Sequence, residues 1–505
     1  MTNLESAGPS AVGDQVIRKG LILFFLGISQ LMIILDATIV NVALDDIRID
    51  LAVQSTGDLQ WIVTGYALAF GGFLLLGGKL ADRIGRRRIF IAGLALFGLA
   101  SLIGGLSTNI EMLIGARALQ GFGGALMAPA ALSILTVVFA EGKERDRAFG
   151  VWAAISAGGA ALGLLLGGVL TQYASWEWVF FVNVPIALFA GLGALRFVPE
   201  SKDEHARTFD IPGAVLITGG LMALVYGMVN GNELGWGSTQ TVLTLTVSAL
   251  MIAAFVAVIL RSKAPMIPRR LFKYRSLVGA NAGALLLMSG MFAMFFILVL
   301  WMRQINGWTP LEAGFAFLPV TVLIVVGAGI STVLLGRVGP RPLVTFGPLI
   351  AAAGLLYIGL GLTPDASYAS AILPGLLLMA FGMGITFVAF TSAALAGVPQ
   401  DDSGVASALL TASQQVGGAV GLAVLTSLAI GRTSSLSPGG PPALGADGVP
   451  LDPAAAAAFA TSTVEGFALA ITVGGGIMIL ASLVMASLVR VKPDKPAPEP
   501  ILAAT

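Results

Sequence analysis

Apolar residues run along this chain in stretches longer than a globular core helix needs, and the polar residues gather between them. Windows of about 20 mostly apolar residues, enough to cross the hydrocarbon core of a bilayer, recur near 21–44, 59–80, 89–106, 111–139, 148–171 and 177–197. Two more follow near 212–232 and 240–260. The last six lie near 277–301, 311–335, 343–363, 369–396, 405–430 and 464–489. Charged segments at 198–210 and 261–276 divide the series. The pattern predicts an all-α membrane protein with 14 transmembrane helices arranged 6 + 2 + 6. An N-terminal six-helix bundle would occupy 1–200, a two-helix insertion 201–275 and a C-terminal six-helix bundle 276–505. The last would carry a long outer loop at 431–462, whose "SPGGPPALG" and "AAAAAFA" read as flexible low-complexity chain, and a short cytoplasmic tail. The first run lacks a small-residue cleavage pattern and carries an acid, so it reads as a retained helix and not a cleaved signal.

Composition agrees. The 505 residues are 56% hydrophobic and 11% charged, with a mean hydropathy of +0.92, which is no soluble surface. Cysteine is absent and His205 is the single histidine, so neither a disulfide framework nor a thiolate or imidazole metal site is expected. A net charge of +1 with no long block of like charge points to no nucleic-acid partner. Charge matters by position instead. With both termini cytoplasmic, 24 of the 28 Lys and Arg fall in cytoplasmic segments, the exceptions being Arg48, Arg303 and Arg432 near outer ends and Arg117 inside a helix. The positive-inside rule then sets the orientation of a multi-pass protein in the cell (inner or plasma) membrane. Trp61, Trp176, Trp178, Trp236, Trp301 and Trp308 all fall near outer ends and read as an interfacial belt.

Within the first apolar run, "ILDATIVNV" holds one carboxylate, Asp36, eight residues before the outer end of its helix. A charged Asp at mid-membrane depth costs on the order of 2.5–3.5 kcal/mol even on a lenient scale, which calls for a partner or a use. Arg117 lies eight residues after Asn109 on an inward-running helix, so its depth matches that of Asp36. Burial favours the neutral acid and a nearby guanidinium favours the carboxylate, the competition that a protonation switch requires. Two alternatives stand beside this. Asp36 could be a structural carboxylate bonded to Thr38 or to a neighbouring helix, and Arg117 could lock helices through backbone carbonyls.

Three strings carry a resemblance. "GKLADRIGRRR" (Gly78 to Arg88) resembles the signature loop between helices two and three of the major facilitator superfamily. "LDATIVNVAL" resembles the first-helix signature of its fourteen-helix drug:proton antiporter branch, and "RALQGFGGA" is similar to the fourth-helix signature. The resemblance implies the major facilitator fold and a multidrug efflux transporter, not an enzyme. It also implies a conformational lock at Gly78, Asp82, Arg83, Gly85 and Arg86, with the Asp82 carboxylate docking near Gly404. The loop recurs after the second span of the last six as "GRVGPR", matching at the first Arg, the Gly and the final Arg. On helix five, Gly150, Gly159, Gly163, Gly167 and Gly168 stand at the spacing of the family's antiporter motif, with Leu164 where that motif has proline. Glycines at 159, 163 and 167 also make a smooth face for close packing, a pattern found in helices with no transport role.

Candidate cavity residues are Asn41, then Met288, Met291, Phe292 and Phe295 in "MSGMFAMFF", and Gln414 and Gln415 in "TASQQVGG". Thioethers and rings make adaptable apolar pockets, although in a membrane helix they also serve plain packing. The Gly-rich run from Gly72 to Lys79 lies inside a span and is no nucleotide loop. The expected protein is therefore a proton-coupled secondary antiporter, working as a monomer in the lipid bilayer without a cofactor beyond the proton gradient. It would export hydrophobic, often cationic drugs or antibiotics by alternating access. A dedicated exporter of one endogenous metabolite, antibiotic or lipid is the alternative within transport. A receptor or scaffold is the alternative outside it. Asp36 is the one acid placed deep in a span, since Glu111, Glu177, Glu233, Glu312 and Glu465 fall near outer ends.

The absence of native cysteine makes the orientation directly measurable. In intact cells, cysteines introduced at Ser437 and Ser238 should react with an impermeant thiol reagent from outside, and one at Ser201 should not; external labelling at 201 would overturn the topology.

Overall fold

The computed structural model describes residues 9–53, 56–139, 143–202, 210–262, 265, 267–440 and 452–490. His205, residues 441–451 of the loop read at 431–462, the tail from 491 and the side chain of Glu233 lie outside the described residues. The helices in chain order are α1 (Pro9–Asp50), α2 (Thr56–Ile84), α3 (Arg86–Gly105), α4 (Ile110–Val138), α5 (Lys143–Tyr173), α6 (Trp178–Phe181), α7 (Asn183–Phe197), α8 (Ile211–Leu234) and α9 (Thr239–Arg261). They continue with α10 (Arg275–Leu300), α11 (Pro310–Ala316), α12 (Leu318–Val338), α13 (Pro340–Gly361), α14 (Leu373–Leu395), α15 (Gln400–Leu436) and α16 (Pro453–Leu488). Among the described residues 13 helical segments are long and apolar enough to cross a membrane. α5, 31 residues long with a described apolar stretch at Leu162–Tyr173, takes the place of the remaining predicted span.

Local chemistry sets the helix ends. Asn109 caps α4 by accepting from Met112 N at 2.8 Å, and Thr309 with Glu312 forms a reciprocal capping box at α11. Two predicted spans are broken where a proline withdraws the N–H that the residue four back would have used. Pro185, in the first turn of α7, follows the break from α6 at Val182, and Pro319, in the first turn of α12, follows the break from α11 at Phe317. Gly85 (φ +132°) and Gly339 (φ +73°) turn the chain between α2 and α3 and between α12 and α13. These are the glycines aligned in the recurring loop, and both adopt backbone that L side chains avoid.

Two expectations are corrected. "AAAAAFA" is not loop but the first turns of α16, because alanine is the best helix former and Asp452 caps the helix at Ala454 N and Ala455 N. Together with the extension of α15 to Leu436, this shrinks the outer connection to 437–452. The tryptophan belt is also only partial. Trp176 and Trp301 are buried, their indole N–H groups donating to Asp50 Oδ2 (2.9 Å) and Thr363 O (3.2 Å), whereas Trp178 and Trp236 are exposed. An indole placed at an outer end serves packing as readily as the interface.

The early helices pack on one another, α4 against α2 and α3, α1 against α5 and α7. The late ones do likewise, α10 against α15 and α16, α14 against α12 and α13. The α8–α9 pair sits on α2 and α15 together. α2 meets α15, and α5 meets α11 and α12, so the two groups of helices touch along two seams.

The α1–α5 contact depends on glycine. A Cβ at Gly163 would stand 2.9 Å from Leu35 O, one at Gly167 2.7 Å from Ile39 O, and one at Gly159 3.1 Å from Ile34 Cγ2. Gly163→Val should therefore force α5 off α1 and destabilise the protein by ~1–3 kcal/mol or more. Gly115→Ala, with open space around it, should be neutral or slightly stabilising. Thermal unfolding of the detergent-solubilised variants checks the contrast, and equal melting of the two would remove the glycine face as a packing determinant.

Candidate functional site

Asp36 is fully buried and its carboxylate is the hub of a polar cluster that five helices assemble. Arg117 Nη1 of α4 donates to Oδ2 at 2.6 Å. Gln120 Nε2, one helical turn further along α4, donates to Oδ1 at 2.9 Å, and Asn183 Nδ2 of α7 donates to the same oxygen at 2.8 Å. The guanidinium is held in turn. Its Nε donates to Ile62 O of α2 at 2.9 Å, Nη1 also reaches Gln120 Oε1 at 2.9 Å, and Cζ lies 4.4 Å from the centre of the Tyr66 ring. Gln120 Nε2 is also 2.7 Å from Ser101 Oγ of α3. The Thr38 hydroxyl donates back to Ile34 O and Leu35 O of its own helix, so it is not the partner of Asp36. A buried charge with this many directed donors is matched electrostatically, and such an arrangement can hold or release one proton with little movement of the backbone.

The residues around the hub follow from helix faces. Gly159, Gly163 and Gly167 lie against the stretch of α1 that flanks Asp36, while Gly168 faces α11, where a Cβ would stand 2.8 Å from Pro310 O. Leu164 is buried, and its carbonyl lies 2.8 Å from where a Cβ on Gly314 would be. Asn41 is half-buried, its amide donating to Ala37 O and Thr38 O. Met291, Phe292 and Phe295 are half-buried along α10, and Gln414 and Gln415 are half-buried on α15. Met288, one turn before them on the same face of α10, is more deeply buried, at 3% exposure within the apolar core that Met291, Phe292 and Phe295 pack against.

At the end of α2, the Asp82 carboxylate accepts from Arg86 Nη2 (2.9 Å) and Nε (3.1 Å), with Ser133 Oγ at 3.5 Å. Gly78 lies on Pro129, and Arg86 N donates to Ser201 O at 2.9 Å, which ties the loop to the segment after α7. Arg83 is exposed. Gly404 on α15 has open space around it.

The sequence profile of the Major Facilitator Superfamily matches residues 26–422. The chain belongs to the major facilitator superfamily. Among its relatives in that superfamily, the puromycin resistance protein of Streptomyces alboniger is 39% identical over 460 residues, covering 90% of this chain and 88% of the relative. The cephamycin export protein of Amycolatopsis lactamdurans is 40% identical over 410 residues, covering 80% and 84%. In fold, a bacterial homologue of the human lysosomal transporter Spinster, in an inward-facing and occupied conformation, superposes with a TM-score of 0.62 at 17% identity over 95% of this chain and 99% of that one. As a major facilitator, the protein is a multi-pass membrane transporter of small molecules and not an enzyme.

Sequence reasoning missed three polar residues of the cluster around the Asp36–Arg117 pair, Gln120, Asn183 and, behind Gln120, Ser101, and one whole contact of this major facilitator chain. Gln120 stands in the quoted "RALQ", three residues from Arg117 and so on the same helix face, and Asn183 is a lone amide in an apolar span before Pro185. Those were the available signals. Ser101 offers none. The missed contact is at the outer end of α1, where Arg303, only 9% exposed, donates to Asp46 Oδ2 at 2.6 Å and to Trp308 O at 2.6 Å, with Asp45 Oδ2 at 3.8 Å. It joins α1 to the π turn Trp301–Ile305 that ends α10. Leu311 N donates nearby to Gln172 Oε1 of α5 at 3.2 Å.

This ion pair and the α5–α11 packing hold the two groups of helices together at one face. Asp46→Asn should loosen that face, and a cysteine at Leu311 in the purified protein should then react severalfold faster with a thiol reagent. The exchange Asp46→Arg with Arg303→Asp should return the rate toward that of the parent. An unchanged rate in Asp46→Asn would leave closure to the helix packing alone.

Proposed function

We propose that this chain is a proton-coupled antiporter that exports hydrophobic, often cationic antibiotics or drugs by alternating access, with Asp36 as the proton carrier and Arg117 as its counter-ion. The observation that carries the reading is the fully buried Asp36–Arg117 pair in the membrane interior. A charge at that depth is costly unless it is used, and intramembrane acids of this kind are typical of proton relays. Names of relatives, puromycin resistance and cephamycin export, support antibiotic export as the task. Under this reading the face bearing the Lys79–Arg88 loop is cytoplasmic, both termini lie there, and the protein works as a monomer in the cell membrane. The first and last six spans would move about a central cavity as 1–200 and 276–505, with 201–275 as the insertion.

Packing across the two groups of helices supports a state open to the basic face. α1 and α5 meet α10, α11 and α12 near the opposite face, and among the described residues α4 and α5 do not pack extensively on α14 or α15. In the alternate state the Asp82 carboxylate would leave Arg86 and dock at the N-terminus of α15, where the open space at Gly404 gives it room and the helix dipole favours an anion. Met291, Phe292, Phe295, Asn41, Gln414 and Gln415 would line the substrate path. A second reading, export of a single antibiotic, draws on the same relatives, each of which is named for one compound. Mutual competition among unrelated dyes would decide against it.

Transport in proteoliposomes tests the coupling. Puromycin movement should drive counter-movement of protons in the parent protein and lose it in Asp36→Asn. Asp36 is the one acid buried midway along a span among the described residues, so one proton should exchange per substrate. For a monovalent cation that exchange moves no net charge. Collapsing the voltage at constant pH gradient should leave its final accumulation unchanged, whereas a neutral substrate would feel ~2.3 kcal/mol per 100 mV. A drop for the cation would mean at least two protons and a second carrier.

A further inference from the structure

Among the described residues Asp36 meets donors and no acceptor: Arg117 Nη1 at Oδ2, and Gln120 Nε2 and Asn183 Nδ2 at Oδ1. That set suits a carboxylate, which only accepts. A protonated Asp36 carries a hydroxyl that must find an acceptor of its own or remain a buried donor without a partner. Arg117 has no acceptor to offer. Gln120 Oε1 already accepts from Arg117, and Gln120 Nε2 is engaged with Ser101, so this amide is held in one orientation.

Asn183 is in a different position. It is fully buried, and its Oδ1 has no hydrogen-bond partner. The terminal torsion of Asn is broad and roughly two-fold, so the carboxamide can turn by half a revolution and exchange its oxygen and nitrogen without moving the backbone. Before the turn the amide N–H donates to the carboxylate. After it, the carbonyl faces the acid and accepts its O–H. One amide atom lacks a partner in either state, so the turn adds no new unsatisfied group. Asn183 is the first residue of α7, immediately after the break at Val182, and α7 packs on both α1 and α3.

We propose that Asn183 is a positioning residue that matches both protonation states of Asp36, donating to the carboxylate and accepting from the acid, so that proton uptake leaves no unpartnered hydroxyl in the membrane interior. The inference rests on the reading of Asp36 as proton carrier. Other groups that titrate or carry charge do not substitute for it. From α4 the one charged group at the carboxylate is Arg117, from α2 the Tyr66 ring lies against that guanidinium, and the described part of α5 presents glycine. Arg303, beyond α10, meets α1 only at Asp45 and Asp46, about 15 Å further along the helix.

Infrared difference spectra of the whole protein in lipid, recorded on acidification, test it. With 13C in the side-chain carbonyl of asparagine, a protonated-carboxyl band should appear together with a shift of an asparagine carbonyl band, and both should vanish in Asp36→Asn. In Asn183→Leu the carboxyl band should remain but move to the position of an acid without a hydrogen-bonded hydroxyl. Puromycin turnover should then fall by roughly tenfold or more, the factor implied by one buried hydroxyl without an acceptor, with puromycin binding within about twofold of the parent. Absence of any carboxyl band assignable to Asp36 would sink the proton-carrier reading and this inference with it. A carboxyl band with no asparagine shift would overturn the role of Asn183 alone, and so would a band that stays in place in Asn183→Leu. The first of these two results needs no variant at position 183 to fold.

Discussion

A carboxylate at the middle of a bilayer has to be matched by donors at close range, and the arrangement around Asp36 follows from that requirement. Water is not available to solvate the charge, so Arg117, Gln120 and Asn183 take its place at 2.6–2.9 Å. Each comes from a helix that must therefore lie beside α1 at a fixed rotation. Arg117 is itself a buried charge and needs a further acceptor, Ile62 O, which brings α2 into the same cluster. Removing one partner from such a pair leaves the other charge uncompensated, at a typical cost of about 3–5 kcal/mol. The cluster thus holds α1, α2, α4 and α7 in register.

Glycine makes room for it. α5 approaches α1 closely enough that side chains at 159, 163 and 167 would meet the backbone or side chains of Ile34, Leu35 and Ile39, the residues around Asp36. The same helix turns its next glycine, Gly168, toward α11 in the other group of helices. α5 is consequently packed beside the Asp36 cluster with one edge and on the seam between the groups with another. α1 has a similar double role, since it carries Asp36 at its middle and Asp46, the partner of Arg303, near its end. The Asp36 cluster and the closed face thus share two helices. Under the proposed antiport, that sharing would link a proton at Asp36 to an opening and closing motion, because packed interfaces switch between arrangements and do not deform continuously.

Much of this was legible in the residue order, and the reason is the solvent. In hydrocarbon every charge is expensive and every backbone group must be bonded within its helix, so span number, the outlying Arg117 and Asp36, and their common depth appear as a one-dimensional pattern. The glycine spacing of helix five and the repeated loop turning at Gly85 and Gly339 are equally local, since each is a demand on a single backbone position. The neutral partners were not legible. Ser101, Gln120 and Asn183 cost little alone in an apolar helix, and what they bond depends on the rotation of each helix about its axis. Helices that are apolar nearly all round do not encode that rotation.

The same limit explains the remaining differences. Met288 and Met291 are three residues apart in one apolar string, yet the first is buried and the second half-exposed, which only the packing of α10 decides. Arg303, read as an exception at an outer end, is also an ion-pair partner across the seam. By itself the sequence determined which segments enter the membrane, where charge is buried there and which backbone positions require glycine, since hydrophobicity and backbone sterics act within a single segment. Only the tertiary structure decided which donors surround Asp36 and which face is closed, because those contacts join residues from different helices and exist only once the helices have fixed their rotation and distance against one another.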